Sequence, residues 1–397
     1  MLMLNMSSQE TPKLYTPSFI AFGFANFFTV SSFGIFFLLP LYIKSRGGSA
    51  LDIGIVMGVF SLAAVLCRPW ISEMIDRIGR KKSYTLGSLI MTAFPLAYLL
   101  FRGSLSLFYL PLILVRVIHG VGLAICFTAV FTYIADIIPE SRLNEGIGIF
   151  GVTGLMGMAI GPLIGEIIIE RFGFSLFFMT ASATASLGLI IHLSLKESFK
   201  HGDRSASHSF FSLLTKKTIF PVAIIAFIFG IGLAATGNFI SPFAKEQGLP
   251  FISLFYICYS SAAVVTRIGG GRLADRVGED RIIPYALLLT GCGLMVLIFP
   301  GGSALLAISG LMSGCGHGFL FPCLNSLILR NEPIEIRGKI TGVFTGGIDA
   351  GTFAGSIALG YIGELAGFQA LFLAAGLILL LGLLIHRFHV IRQIQLP

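Results

Sequence analysis

Along the chain, long apolar runs alternate with short polar intervals. Twelve runs can be placed, at 17–43, 51–71, 84–101, 107–135, 147–170, 174–195, 219–244, 251–271, 283–300, 303–330, 339–362 and 367–388. Runs of about 18 to 25 apolar residues match the length a helix needs to cross the roughly 30 Å hydrocarbon core of a bilayer. Glycine and proline recur inside them, which membrane helices tolerate and β-strands do not. The pattern predicts an all-α membrane protein with twelve transmembrane helices.

The polar intervals carry the orientation. Arg77, Arg80, Lys81 and Lys82 follow the second run, and Arg272, Arg276 and Arg281 follow the eighth. Lys196, Lys200, Arg204, Lys216 and Lys217 lie between the sixth and seventh runs, whereas intervals of the opposite set hold only Lys44, Arg46, Arg102, Arg171 and Lys245. Lys and Arg concentrate on the cytoplasmic side. Both termini and the central interval are therefore expected in the cytoplasm, in a multi-pass protein of the plasma membrane, the inner membrane of a bacterium. The same asymmetry accounts for a formal charge of +8 without a nucleic-acid partner. Residues 1–16 are polar where a signal peptide would have an apolar centre, so no cleaved segment is expected.

The pattern also repeats. In Arg68–Lys82 and again in Arg267–Arg281, an arginine stands eight residues before Asp-Arg-x-Gly, at Asp76-Arg77-Ile78-Gly79 and at Asp275-Arg276-Val277-Gly278; the aspartates are 199 positions apart in 397 residues. Glu170-Arg171-Phe172-Gly173-Phe174 likewise matches Glu364-Leu365-Ala366-Gly367-Phe368. Two halves with the same helix order are expected to form parallel repeats about an axis along the membrane normal, with a central pathway between them. The expected domains are a six-helix bundle at 1–195, a polar, Ser-rich cytoplasmic linker at 196–218 and a second six-helix bundle at 219–397, pseudo-symmetric around a central cavity.

Composition agrees: 55% of residues are hydrophobic and 12% charged, with a mean hydropathy of +0.90, against about 25% charged in soluble domains. The 48 glycines suit helices that approach closely in lipid. Six cysteines fall within the apolar runs without metal-ligand spacing, and His201 and His208 of the linker are expected in solvent, so neither metal nor cofactor is expected. HExxH, G-x-S-x-G and the nucleotide-binding P-loop are absent, which excludes the enzymes and ATP-driven pumps that rely on them.

At these residues the chain resembles the major facilitator superfamily over essentially its whole length. The family's loop motif is matched by Ser72, where glycine is usual, and Asp76 to Lys81, and more weakly by Gly271 to Gly278. Arg116-Val-Ile-His119-Gly120-Val-Gly122-Leu-Ala124 is similar to its motif in the fourth span. Gly148, Gly157, Gly161-Pro162 and Gly165 have the spacing carried by its drug and metabolite antiporters, with Glu166 in place of a last glycine. The resemblance implies a proton antiporter of the drug-exporter kind. It also implies a conformational role for Asp76, Arg77, Gly79, Arg80, Asp275 and Arg276, with Asp76 meeting the start of the eleventh span near Ile340 as a latch between domains. The face of Gly157, Gly161, Pro162 and Gly165 would seal against the eighth span.

Ionisable groups at membrane depth cost at least about 2.5 to 3.5 kcal/mol and are functional candidates by default. Asp349 lies about ten residues into the eleventh span and could load a proton from one side and release it to the other. Arg116, at similar depth, could tune a carboxylate or bind an anionic substrate group, against a structural role within its own domain. His119 and His317 could titrate near physiological pH, or could be neutral, hydrogen-bonded side chains. Asn26, Asn238 and Asn325 are candidate substrate contacts, or else helix-to-helix ties. Glu166 and Glu170 are expected in a wet interface, outside the coupling machinery. Phe22, Phe24, Phe27, Phe28, Phe33, Phe36 and Phe37 along the first span could give an aromatic or amphipathic substrate a lining.

The expected function is secondary active transport by alternating access: proton-coupled export of a small amphipathic molecule, drug, metabolite or metallophore, by a monomer in the bilayer. Alternatives of the same fold are a sugar or metabolite facilitator, a proton symporter and a lipid exporter.

Overall fold

The computed structural model describes residues 14–139, 142–198, 213, 216, 218–330, 332 and 336–394. The expectations for His201, His208 and most of the linker lie outside the described residues. Ten long helices, counted over the described residues, follow in order: α1 (Pro17–Ser45), α2 (Ala50–Ile78), α3 (Arg80–Leu100), α4 (Leu105–Ile137), α5 (Leu143–Leu193), α6 (Phe220–Glu246), α7 (Leu254–Val277), α8 (Glu279–Ile298), α9 (Gly302–Leu329) and α10 (Arg337–Ile394). Among the described residues nine are long and apolar enough to cross a membrane, and α7 adds a shorter apolar segment, Leu254–Gly269.

Local chemistry starts the helices where the polar intervals predict. Thr16 accepts the Phe19 N–H at 3.2 Å with Pro17 in the first turn of α1. Ser49 and Asp52 form a reciprocal capping box at the start of α2, with bonds of 3.1 and 2.8 Å.

Two expected pairs of spans are single helical elements broken at one glycine. Gly173 (φ 78°, ψ −175°) interrupts α5 and Gly367 (φ 82°, ψ 170°) interrupts α10, a backbone region open almost only to glycine. The contacts show that the chain reverses there. Before the break, a Cβ on Gly157, Gly161 or Gly165 would meet in turn Phe27, Ser31 and Leu38 of α1. After it, Ser32 donates to the Ala181 carbonyl at 2.7 Å and Gly188 lies against Ala25, so the second segment returns along the same helix. In α10, Gly347, Gly351 and Gly355 climb α6 past Ala223, Phe227 and Ile231, and Phe368, Phe372 and Leu379 descend it past Phe243 to Gly232.

The duplication read from the motifs is therefore also a duplication of backbone irregularities. Among the described residues, eight glycines with positive φ form four pairs, Gly47 and Gly248, Gly79 and Gly278, Gly103 and Gly302, Gly173 and Gly367. A 3₁₀ turn at Phe36–Leu38 in α1 has its counterpart in a π turn at Ala235–Phe239 in α6. Packing repeats too: α1 lies on α5 as α6 lies on α10, and α2 and α3 lie on α4 as α7 and α8 lie on α9. Between the halves of the sequence, α2 packs on α10 and α5 on α7. Glycines allow the closest approaches; a Cβ on Gly54 would sit 2.3 Å from the Ser356 carbonyl oxygen, closer than any methyl group can stand.

Candidate functional site

Polar chemistry crosses from one half of the chain to the other at the α2–α10 and α5–α7 contacts and between α1 and α6. Within the apolar run of α2, Arg68 pairs with Asp349 of α10, both side chains largely buried. An ion pair removed from water is strongly disrupted when one member is lost, by about 3–5 kcal/mol, because the other is left buried and uncompensated. Asp349, expected as an ionisable group at membrane depth, thus has a named partner. Arg68 was legible only as the first residue of the repeated Arg-x7-Asp pattern, a signal of duplication with no chemistry attached to it.

The repeat places Arg267 of α7 where Arg68 stands in α2, but the position facing it on α5 is glycine. A Cβ on Gly151 would lie 2.6 Å from Arg267 Nη1. The guanidinium rests over the Phe321 ring at 5.5 Å and its buried Nε has no hydrogen-bond partner. One half of the repeat therefore has a paired arginine and the other an arginine facing glycine.

Towards the Ala50 end of α2, the halves are fastened by carboxylates capping helix starts. Glu166 of α5 accepts the Ile252 N–H at 2.6 Å and the Ser253 N–H at 2.7 Å, just ahead of α7. Glu364 of α10 accepts the Ala50 N–H at 2.9 Å, at the start of α2. The first N–H groups of a helix have no partner within it and carry partial positive charge, so a carboxylate is the matching acceptor. Glu170 is exposed, in keeping with the wet interface expected for it, but Glu166 is buried, at 5% exposure, and so corrects that expectation. Its sequence neighbours are apolar; only the approach of α7 supplies its donors. The same end has a Lys44–Glu246 ion pair at 3.6 Å, a Phe37–Tyr256 stack at 5.3 Å and a bond of 2.8 Å from Ser241 to the Phe37 carbonyl. A cavity of about 480 Å³ opens beside them, lined by Leu41, Lys44, Glu166, Phe174 and Lys245.

At the opposite end the expected latch is not formed. Asp76 is 69% exposed and pairs at 3.3 Å with Arg80, which also binds Asp136 of α4 at 3.0 Å. Glu197 accepts the Arg80 and Lys81 N–H groups at 2.9 and 3.1 Å, and Gly79, at φ 99°, leaves room for it. These contacts all lie in the first half of the chain: Asp76 joins its own turn rather than the start of α10 near Ile340. Arg77 pairs with Glu73 at 2.6 Å. Arg276 is exposed, and the side chain of Asp275 lies outside the described residues.

Arg116 is sealed within the first half, at 1% exposure. Its guanidinium stacks over Phe60 at 4.4 Å and Phe36 at 5.7 Å, donates to the Val56 carbonyl at 3.3 Å, and keeps Nη1 without a partner. It does not meet Asp349; Arg68 takes that place. His119, one turn on, is fully buried against the Phe36 and Phe60 ring edges, with neither ring nitrogen bonded. His317 shares a hydrogen bond between its Nδ1 and the Tyr259 hydroxyl and lies 5.2 Å from Phe229.

Two of the three asparagines are helix-to-helix ties. Asn26 donates to Thr153 of α5 at 2.9 Å and Asn238 donates to Ser356 of α10 at 2.7 Å, both buried. Asn325 keeps a buried Oδ1 without a donor. Gly157, Gly161 and Pro162 are taken up by α1: Gly157 O and Pro162 Cδ would both touch a Cβ on Gly34, at 3.0 and 3.2 Å, and Gly165 faces Leu38 and Phe177. The glycine face thus meets its own half, and the α5–α7 contact expected of it is made by Gly151 and Glu166. Of the phenylalanines in α1, Phe22, Phe36 and Phe37 are buried, Phe27, Phe28 and Phe33 are half-buried and Phe24 is exposed. Among the described residues no group of three or more His, Cys, Asp and Glu side chains could hold a metal ion.

The sequence profile described as "Major Facilitator Superfamily" matches residues 19–345 and, in a second alignment, 222–393. The chain is 24% identical over 392 residues to "Multidrug resistance protein MdtG" of Klebsiella pneumoniae (strain 342), covering 94% of each chain. It is 28% identical over 373 residues to "Multidrug resistance protein 2" of Bacillus subtilis (strain 168), covering 87% of this chain and 88% of that one. Among solved structures, the human organic anion transporter MFSD10 superposes with a TM-score of 0.72 at 17% identity, over 94% of this chain and 100% of that one. The nucleoside transporter NupG superposes with 0.72 at 15%, over 94% and 99%. At such identities these two likenesses concern the fold alone.

Proposed function

We propose that this chain, which belongs to the Major Facilitator Superfamily, is a proton-coupled exporter of small amphipathic molecules, as the names of its multidrug-resistance relatives suggest. In this reading α5 and α10 each cross the membrane twice, giving twelve crossings in two six-helix domains, and the basic Asp76 end faces the cytoplasm. The observation that carries the reading is the Arg68–Asp349 pair, the one acid–base pair joining the halves at mid-depth among the described residues. A proton added to the Asp349 carboxylate removes its negative charge and frees Arg68, so the α2–α10 contact depends on which side last supplied a proton. The Glu166 and Glu364 caps hold the outer end shut in the cytoplasm-facing state, and rocking to the other state requires both to release. Asp76, free of α10 in this state, is available to engage it in the other.

The test is internal pH in proteoliposomes containing the purified protein, with candidate substrates added singly. Substrate-dependent proton movement is expected in the wild type and lost in Asp349→Asn, with substrate still bound. Substrate moving down its own gradient with no pH change in either protein would make this a facilitator and the ion pair structural.

A further inference from the structure

Among the described residues, Arg68, Arg116, Arg267 and Asp349 are charged side chains set back from the helix ends within apolar runs. Arg116 is sealed inside its own half, at 1% exposure. Arg68 and Asp349 neutralise each other across α2 and α10. That leaves Arg267, between α5, α7 and α9, as a cation with no carboxylate opposite it.

Its surroundings are built for more than tolerance of a charge. Nη1 packs against Gly151, in the space a Cβ would fill, and Nε makes no hydrogen bond. Phe321 stacks on the guanidinium at 5.5 Å, and the Phe321 ring in turn lies 6.2 Å from His317 and 5.2 Å from Phe344. A planar guanidinium with unused donors in a low-dielectric setting seeks an anion it can grip with two parallel bonds, and the neighbouring rings give apolar surface to the rest of such a molecule. An isolated charge at this depth costs several kcal/mol, and an arriving anion offsets that cost.

Resting on the transport reading above, we infer that Arg267 is the anchor for the substrate's anionic group, and that the preferred substrates are amphipathic aromatic carboxylates rather than cations. The duplicated arginine has divided its duties: Arg68 retains an internal partner, and Arg267 faces Gly151 and takes its partner from the substrate.

The test uses the full-length protein purified in detergent and three probes of matched size and shape: 1-naphthoate, 1-naphthamide and 1-naphthylmethylamine. Equilibrium dialysis should give 1-naphthoate at least about tenfold tighter binding than the amide, a ratio worth about 1.4 kcal/mol. In Arg267→Gln the ratio should fall to near one while amide binding stays within about threefold of wild type, which also shows that the variant is folded. Arg267→Lys should keep the charge and restore part of the preference, and Gly151→Val should lose it by displacing the guanidinium, whose Nη1 lies where the new Cβ would stand. A carboxylate preference that survives in Arg267→Gln, a preference for the amine, or no binding of any probe would each overturn the inference. Displacement of 1-naphthoate by phosphatidylglycerol in mixed micelles, to the same degree in wild type and Arg267→Gln, would overturn it in favour of a lipid site elsewhere.

Proteoliposomes separate this inference from the transport reading. An Arg267-dependent carboxylate preference without any proton movement would leave the anion site standing and remove the coupling. Proton movement driven by the amine, lost in Asp349→Asn, would leave the coupling standing and remove the anion site.

Discussion

Glu166→Gln gives the most direct test of the cap that joins α5 to α7. The wild-type carboxylate accepts two N–H groups at 2.6 and 2.7 Å from a site with 5% exposure, one on each oxygen. Hydrogen bonds to a charged group contribute about 1.5–3 kcal/mol each, and a neutral one about 1 kcal/mol. Glutamine keeps the length and one acceptor oxygen, loses the charge, and turns an NH₂ towards an N–H donor. The expected loss is about 2–5 kcal/mol of the energy holding this end closed, which at 1.4 kcal/mol per tenfold raises the open population about 30- to 4,000-fold. The Ile252 and Ser253 amides report it themselves. Their hydrogen exchange, followed by mass spectrometry on the peptide spanning them, should accelerate by that factor in Glu166→Gln, while amides within α4 exchange as in wild type. Unchanged exchange at Ile252 and Ser253 would refute the cap as a closing contact. A uniform rise across the molecule would refute it equally, by showing general loss of stability. Glu364→Gln is the calibrating case: it holds one N–H from an exposed position, and α2 retains its Ser49–Asp52 box, so the change there should be below about tenfold.

Further outcomes follow from the packing. Gly161→Leu should abolish or severely destabilise the protein, because a Cβ there would lie 2.3 Å from the Ser31 carbonyl oxygen, backbone that cannot move aside; monodispersity after extraction and the thermal midpoint check it, and a midpoint near wild type would contradict the α1–α5 packing. Asn238→Ala removes the 2.7 Å tie to Ser356 and should cost about 0.6–2 kcal/mol, seen as a modest fall in thermal midpoint with aromatic-probe affinity unchanged; a loss of affinity without loss of stability would make Asn238 a substrate contact instead. Gly173→Ala forces an L side chain into a backbone region reserved for glycine and should cost about 1–3 kcal/mol. Gly367→Ala at the matching break should behave alike, and unequal effects would indicate that the two reversals are not equivalent.

Much of the architecture could be read along the chain because it is written in local terms. The lengths of apolar runs and the caps at Thr16 and Ser49 depend on residues a few positions apart. The motif repeat pointed to paired halves, and the backbone carries it further than the motifs do: the Glu-x-x-Gly-Phe pentads at Gly173 and Gly367 are the chain reversals that turn two expected spans into one broken element. Asp349 stood out for the same reason, as a carboxylate in an apolar run is costly wherever its partner lies.

What the sequence by itself determined, then, is that the chain is all-helical with many membrane-length apolar segments, and which residues are too costly to be at membrane depth without cause. Which groups meet was decided by tertiary structure. Arg116 and Arg68 are both arginines in apolar runs, and only the packing of α2 on α10 assigns Asp349 to Arg68 and leaves Arg116 among phenylalanines. Glu166 reads as a carboxylate at a wet helix end until α7 arrives from 86 residues away and supplies two N–H groups. Asp76 has the composition of a latch, yet its partner in this state is its own turn. Apolar periodicity is a property of neighbours along the chain, whereas charge pairing is a property of neighbours in space, and for Arg68–Asp349 and Lys44–Glu246 those neighbours come from opposite halves.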